Sequence, residues 1–109
     1  MRELIKLLAK KHVKDILQYL DNYGEVHFGQ MHKDLKIHKG TLSDVLDDLV
    51  DAGLLVKRRE DSESLLPKTY YRLTDYGKKV LILMKALNML SSNPNIEVYK
   101  EDNKIIVAI

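Results

Sequence analysis

Four histidines and no cysteine set the limits on what this 109-residue chain could do by metal or covalent chemistry. His12, His27, His32 and His38 lie fifteen, five and six residues apart, whereas two ligands sharing a helical face need a spacing of three or four. They read as surface or capping groups, and no metal or cofactor is expected. Without Cys there is no thiolate nucleophile, no zinc thiolate set and no disulfide. No glycine-rich phosphate loop, no carboxylate pair in an apolar setting and no Ser/His/Asp arrangement can be assembled, so an enzyme is not expected. What remains is ionic and hydrogen-bonding chemistry. His38, Lys39, Thr41, Ser43 and Asp44 form one polar cluster, Lys57, Arg58, Arg59, Lys68 and Arg72 a second, and Gln30 and Lys33 lie between apolar positions of helical spacing upstream. Lys, Arg and hydroxyl side chains at such density suit phosphate oxygens and base edges.

Composition narrows the setting of these groups. Apolar residues make up 45% and charged residues 31% of the chain, with five Gly and two Pro, so a folded domain is expected, and this length suits one core. The lack of Cys fits a reducing, cytoplasmic environment, and no apolar run approaches the ~20 residues of a membrane span. The net charge is +2, but it is unevenly spread. Arg2, Lys6, Lys10, Lys11 and Lys14 face Glu3 alone at the start, whereas Lys39 stands against Asp44, Asp47, Asp48 and Asp51 in the middle. Basic ends around an acidic centre are compatible with a nucleic-acid surface without requiring one.

The elements that must carry these groups are legible from periodicity. Leu4, Leu7, Leu8, Val13, Ile16, Leu17 and Leu20 recur at helical spacing, giving one helix or two that end at Asn22-Tyr23-Gly24. A short helix over 28–36 buries Phe28, Met31 and Leu35. A third begins near Lys39 or Gly40, keeps Leu42, Val45, Leu46, Leu49 and Val50 on one face, and stops at Gly53. The period then shortens: residues 54–59 and 68–73 read as strands around a polar loop from Glu60 to Pro67. Thr74 suits the N-cap of a fourth helix to about Leu90, apolar around most of its circumference. After Ser91-Ser92-Asn93-Pro94, residues 96–100 and 104–109 look like a second hairpin turning at Glu101-Asp102-Asn103.

Three helices, a hairpin and a helix is the order of a winged helix-turn-helix, a mainly helical α+β fold, here with an additional C-terminal hairpin. Residues 1–92 would form the winged-helix domain with its flanking helices and 93–109 an extension of it. Tyr71-Arg72-Leu73-Thr74-Asp75-Tyr76-Gly77 resembles the Y-x-L-T-x-x-G stretch of winged-helix regulators, and residues 46–55, from Leu46 to Leu55, resemble their L-x-x-L-x-x-x-G-L-[LIV] corner. Phe28 opening the second helix and Leu66-Pro67-Lys68-Thr69-Tyr70-Tyr71 ending the wing look most like the HxlR-like group, with the MarR and PadR groups as close alternatives. Two positions depart from the pattern: His38-Lys39-Gly40 replaces the usual Ser-Lys-Lys opening, and the exposed face of the third helix is acidic.

The resemblance implies a homodimeric transcription regulator that binds double-stranded DNA. Gln30, Lys33, His38, Lys39, Thr41, Ser43 and Asp44 on the helices and Arg58, Arg59 and Lys68 on the wing would then contact DNA. It also implies a dimer interface on the first and last helices, for which Leu4, Leu8, Val80, Leu83, Met84 and Leu87 are the candidates. Ile105, Val107 and Ile109 would join them, because a tail strand this apolar needs covering. The acidic third helix supports a second reading, a winged helix serving as a protein-interaction adaptor.

Overall fold

The computed structural model describes residues 3–60 and 67–108. Two helices open the chain, α1 (Leu4–Leu8) and α2 (Val13–Tyr23), with His12 at φ 75° making the bend between them. A two-residue strand β1 (Val26–His27) precedes α3 (Phe28–Leu35) and α4 (Lys39–Asp51). The wing is β2 (Leu55–Glu60) and β3 (Lys68–Leu73), followed by α5 (Asp75–Ser92) and the hairpin β4 (Glu97–Glu101) and β5 (Lys104–Ala108). The expected wing tip between Glu60 and Pro67, and Ile109 of the tail, lie outside the described residues.

Three apolar faces converge on one core: Ile16, Leu17 and Leu20 of α2, Met31 of α3, and Leu42, Leu46 and Leu49 of α4. Period-3.6 spacing put each set on one stripe, and burying these stripes together stabilises helices too short to persist alone. Leu54, Leu55, Tyr71 and Leu73 add the base of the wing to the same core.

The strand β1 is a feature that periodicity did not reveal. Two residues are too few to show alternation, yet Val26 pairs with Tyr71 and His27 with Tyr70, making a three-stranded antiparallel sheet in the order β1-β3-β2. The wing is thus hydrogen-bonded to the helix-turn-helix along β3 as well as continuing from α4.

The corner from α4 into β2 explains why the motif residues have their types. The Leu54 N–H donates to the Leu49 carbonyl at 3.0 Å and the Gly53 N–H to that of Val50 at 3.0 Å, with Gly53 at φ 81°, a Schellman end that favours glycine. Thr74 caps α5 by accepting from the Gly77 N–H at 2.9 Å, and its hydroxyl lies 2.7 Å from the Gly53 carbonyl oxygen, to which it donates. Gly77 is buried where a Cβ would overlap the Leu54 carbonyl oxygen. One corner therefore joins the end of α4, the root of the wing and the start of α5.

Only the first turns of α5 belong to this core. Val80, expected at an intersubunit contact, is 4% exposed and packed in the chain's own core instead of on its surface. Leu83 and Leu87, by contrast, are 54% and 69% exposed. Leu4, Leu8 and Met84 are half-buried against the core. The C-terminal hairpin forms, with Val98 opposite Val107 and Tyr99 opposite Ile106; Glu101 pairs with Lys104, so it turns at Asp102-Asn103 rather than over Glu101-Asp102-Asn103, and it stands beyond the end of α5 without folding back along it. Among the described residues, no helix is long and apolar enough to cross a membrane.

Candidate nucleic-acid interface

The helix-turn-helix unit is α3, the turn Lys36-Ile37-His38 and α4. Lys36 adopts φ 56° and ends α3, Ile37 is buried as the anchor of the turn, and the ring of His32 lies 2.7 Å from the Ile37 carbonyl oxygen through Nδ1. Each helix is capped by an imidazole. His27 Nδ1 accepts from the Gln30 N–H at 3.3 Å, and His38 Nδ1 accepts from the Gly40 N–H at 3.1 Å. A glycine follows two residues after each histidine, where a Cβ would meet the ring in close van der Waals contact at 3.4 Å. An accepting Nδ1 places the neutral ring's proton on Nε2, so exposed His38 presents an N–H donor at the mouth of α4.

On α4 the residues Lys39, Gly40, Thr41 and Asp44 are exposed and Ser43 is half-buried on the flank that faces the wing. A groove of about 500 Å³ runs there, lined by Ser43, Lys57, Lys68, Thr69, Phe28 and Gly29 among others. The acidic face that sequence reading identified lies further along. Asp44, Asp47 and Asp51 are exposed, while Asp48 is held by Lys10 at 2.9 Å. Lys39 thus stands on the first turn of α4, Lys57 and Lys68 line the groove beside Ser43, and acids follow along the helix.

Strand register sorts the wing's bases. Residues of β2 alternate, so Leu55, Lys57 and Arg59 share the face of Leu73, Tyr71 and Thr69, which runs from the core into the groove. Val56, Arg58 and Glu60 take the other face with Arg72, Tyr70 and Lys68. Arg58, expected to be free for DNA, is instead committed within the chain. Its Nη2 donates to Glu25 at 2.6 Å, its Nε at 3.1 Å, and its guanidinium lies 4.5 Å from the centre of the Tyr70 ring. The same guanidinium holds the Glu25 carboxyl below its ordinary range. Arg58 thus ties the outer face of the wing to the segment before β1. Lys57, by contrast, sits in the groove, although its charge was not singled out from its neighbours; only the register could separate it from Arg58.

Gln30 is likewise engaged. Its amide donates to both carboxylate oxygens of Asp34 at 2.9 Å, and Asp34 also accepts from the Tyr19 hydroxyl at 2.6 Å. Burial, then the hydrogen bond to Asp34, pushes the Tyr19 phenol up to about 12, and the Gln30 amide leads in holding the Asp34 carboxyl low. This cluster joins α2 to α3. Lys33 remains exposed.

A trihelical unit, a hairpin wing docked beside its second helix and a long helix after the wing define the class of winged-helix regulators. Solved structures agree on the fold. The diamide-treated YodB of Bacillus subtilis matches with TM-score 0.70 at 18% identity, covering 80% of this chain and 84% of that one. A PadR family transcriptional regulator from Eggerthella lenta matches with TM-score 0.68 at 25% identity, over 84% and 83%. The transcriptional regulator PadR-like family matches residues 4–82, and the chain belongs to that family. This places it in one of the two groups that the motifs had offered as alternatives to the HxlR-like one. Among relatives, it is 46% identical to the uncharacterized protein MJ0944 of Methanocaldococcus jannaschii over 84% of this chain and 77% of that protein. It is 38% identical to the uncharacterized HTH-type transcriptional regulator MJ0361 of the same organism, over 77% and 78%.

Proposed function

We propose that the protein is a homodimeric transcription regulator that binds double-stranded DNA, with the first turn of α4 at the major groove and the wing on the backbone. The observation that carries this reading is the groove lined by Ser43 of α4 and by Lys57 and Lys68 of the wing, beside the exposed first turn of α4. His38, Lys39, Thr41 and Ser43 would reach bases and phosphates, and Lys57, Arg59 and Lys68 the backbone. Asp44 follows them one turn later, where it could accept from a cytosine amine. Arg58 and Gln30 act as positioning residues on this reading.

Dimerisation is supported by size. The accessible surface is 7970 Å², against about 6,200 Å² for a compact monomer of this mass. The radius of gyration is 16.0 Å, against about 13 Å for a compact domain of this length. Apolar side chains are on that surface: Ile5 on α1 and Ile82, Leu83 and Leu87 on α5 are exposed, and a groove of about 570 Å³ lies between the two helices. A partner's α5 seated there would bury it. Residues 93–109 extend the same assembly.

The test is a gel shift at several salt concentrations against a random duplex and the chain's own upstream region. Retardation of both, weakening steeply with salt and tighter on the upstream region, is expected. No retardation of either at low salt would favour the adaptor reading, which the exposed Asp44, Asp47 and Asp51 support.

A further inference from the structure

We propose that β5 pairs antiparallel with β5 of a second copy, joining two hairpins into one four-stranded sheet across the dimer's two-fold axis. The proposal rests on the homodimer reading above and names a contact within it. A two-stranded hairpin is marginal alone in water, and here β4 and β5 pair with each other while touching the rest of the fold only sparsely. Ile96 is buried at its root, yet Val98, Tyr99 and Ile105 are all exposed.

The two edges of this hairpin are not alike. β4 carries Glu97, Lys100 and Glu101, the kind of charge that keeps an edge from pairing, whereas β5 carries none between Lys104 and Ala108. Symmetry sharpens the difference. A strand on a two-fold axis meets itself reversed, and the register that pairs all five residues of β4 would oppose Glu97 to the partner's Glu101. In the corresponding register of β5, Ile106 meets the partner's Ile106, Ile105 meets the partner's Val107, and Lys104 meets the partner's Ala108. No like charges are opposed.

Hydrogen-bond geometry agrees with that register. The hairpin turns at Asp102-Asn103, with Asp102 at φ 51°, and Glu101 opposite Lys104 closes it. Closing pairs of two-residue hairpins exchange both bonds, and hydrogen bonding alternates from there. Lys104, Ile106 and Ala108 therefore bond inward to β4, while Ile105 and Val107 aim their N–H and C=O outward. Those two are opposed across the axis and can exchange bonds. The pairing also extends into its copy the face that carries Val98, Ile105 and Val107, with Lys100 on the outer strand beside Ile105.

The chain has no native Cys, so single cysteines report this contact cleanly. In the paired sheet Ile106→Cys brings two thiols into disulfide range, whereas Val98→Cys on the outer strands stays roughly 14 Å from its copy. With an added thiol oxidant, Ile106→Cys should form a covalent dimer at least about ten times faster than Val98→Cys. As a second measurement, Ile106→Lys and Ile106→Glu should each weaken self-association, and an equal mixture should restore it as a heterodimer. Equal crosslinking of the two cysteines, or a mixture no tighter than either variant, in a chain that still sediments as a dimer would overturn the pairing alone. A wild-type chain sedimenting at 12.6 kDa would overturn the dimer reading with it.

Discussion

Gly77 and Thr74 carry more of the fold than their size suggests. Thr74 closes the α5 cap and bonds back to the α4 corner, and Gly77 is the point where α5 touches the Leu54 backbone. Gly77→Ala should lower stability by about 1–3 kcal/mol, since neither backbone nor helix can give way freely, and thermal unfolding would show the loss. Tyr19 makes a prediction in pH. Its phenol lies above the ordinary 10.0, pushed up to about 12, so its contribution is complete below pH 10 and disappears as pH rises toward 12. The stability difference between wild type and Tyr19→Phe should therefore shrink across that window in denaturant titrations. Asp34 works in the opposite direction: its carboxyl is held low, so its contribution is present above the ordinary carboxylate range and is lost as pH falls through the lowered value.

A helix and a ribbon divide the work at the scale of elements. The α4 stripe of Leu42, Leu46 and Leu49 fixes how the helix lies on the core, and that alone decides that Lys39 and Thr41 face outward. β2 alternation then decides which bases accompany them. Lys57→Ala with Arg59→Ala should weaken binding to every duplex and reduce the salt slope by about one to two. Arg58→Ala should change that slope less, because its charge is already matched by Glu25. Lys39→Ala or Thr41→Ala should alter preference among sequences more than affinity for a random one. Titrations at three salt concentrations separate these outcomes.

The whole molecule exposes 7970 Å² of surface, more than a compact monomer of its mass would, and its apolar α5 leaves the core after Met84. Single-sided burial of such a helix would leave Leu83 and Leu87 in water. Sedimentation at micromolar concentration should give twice 12.6 kDa, and Leu83→Glu with Leu87→Glu should shift the chain toward monomer. Because these side chains are exposed within the subunit, the double variant should melt in the manner of an isolated wild-type subunit rather than fail to fold.

The order of elements could be read from the chain because each of the longer ones repeats its pattern. The α2 and α4 stripes, the punctuation at Gly24 and Gly53, the Thr74 cap and the strand-forming runs with turn residues between them are local signals, determined by spacing along the backbone. The corner motif was legible for the same reason, since its residue types answer to a positive φ and a helix N-terminus. What tertiary structure decided were pairings between distant segments. Two residues of β1 found Tyr70 and Tyr71. Arg58 turned to Glu25, and Gln30 to Asp34 with Tyr19. Val80 went inside while Leu83 stayed out, although both lie on one apolar helix. Periodicity reports which side of an element is apolar, but which charge finds a partner, and how far along a helix the core extends, depend on where other segments end in space.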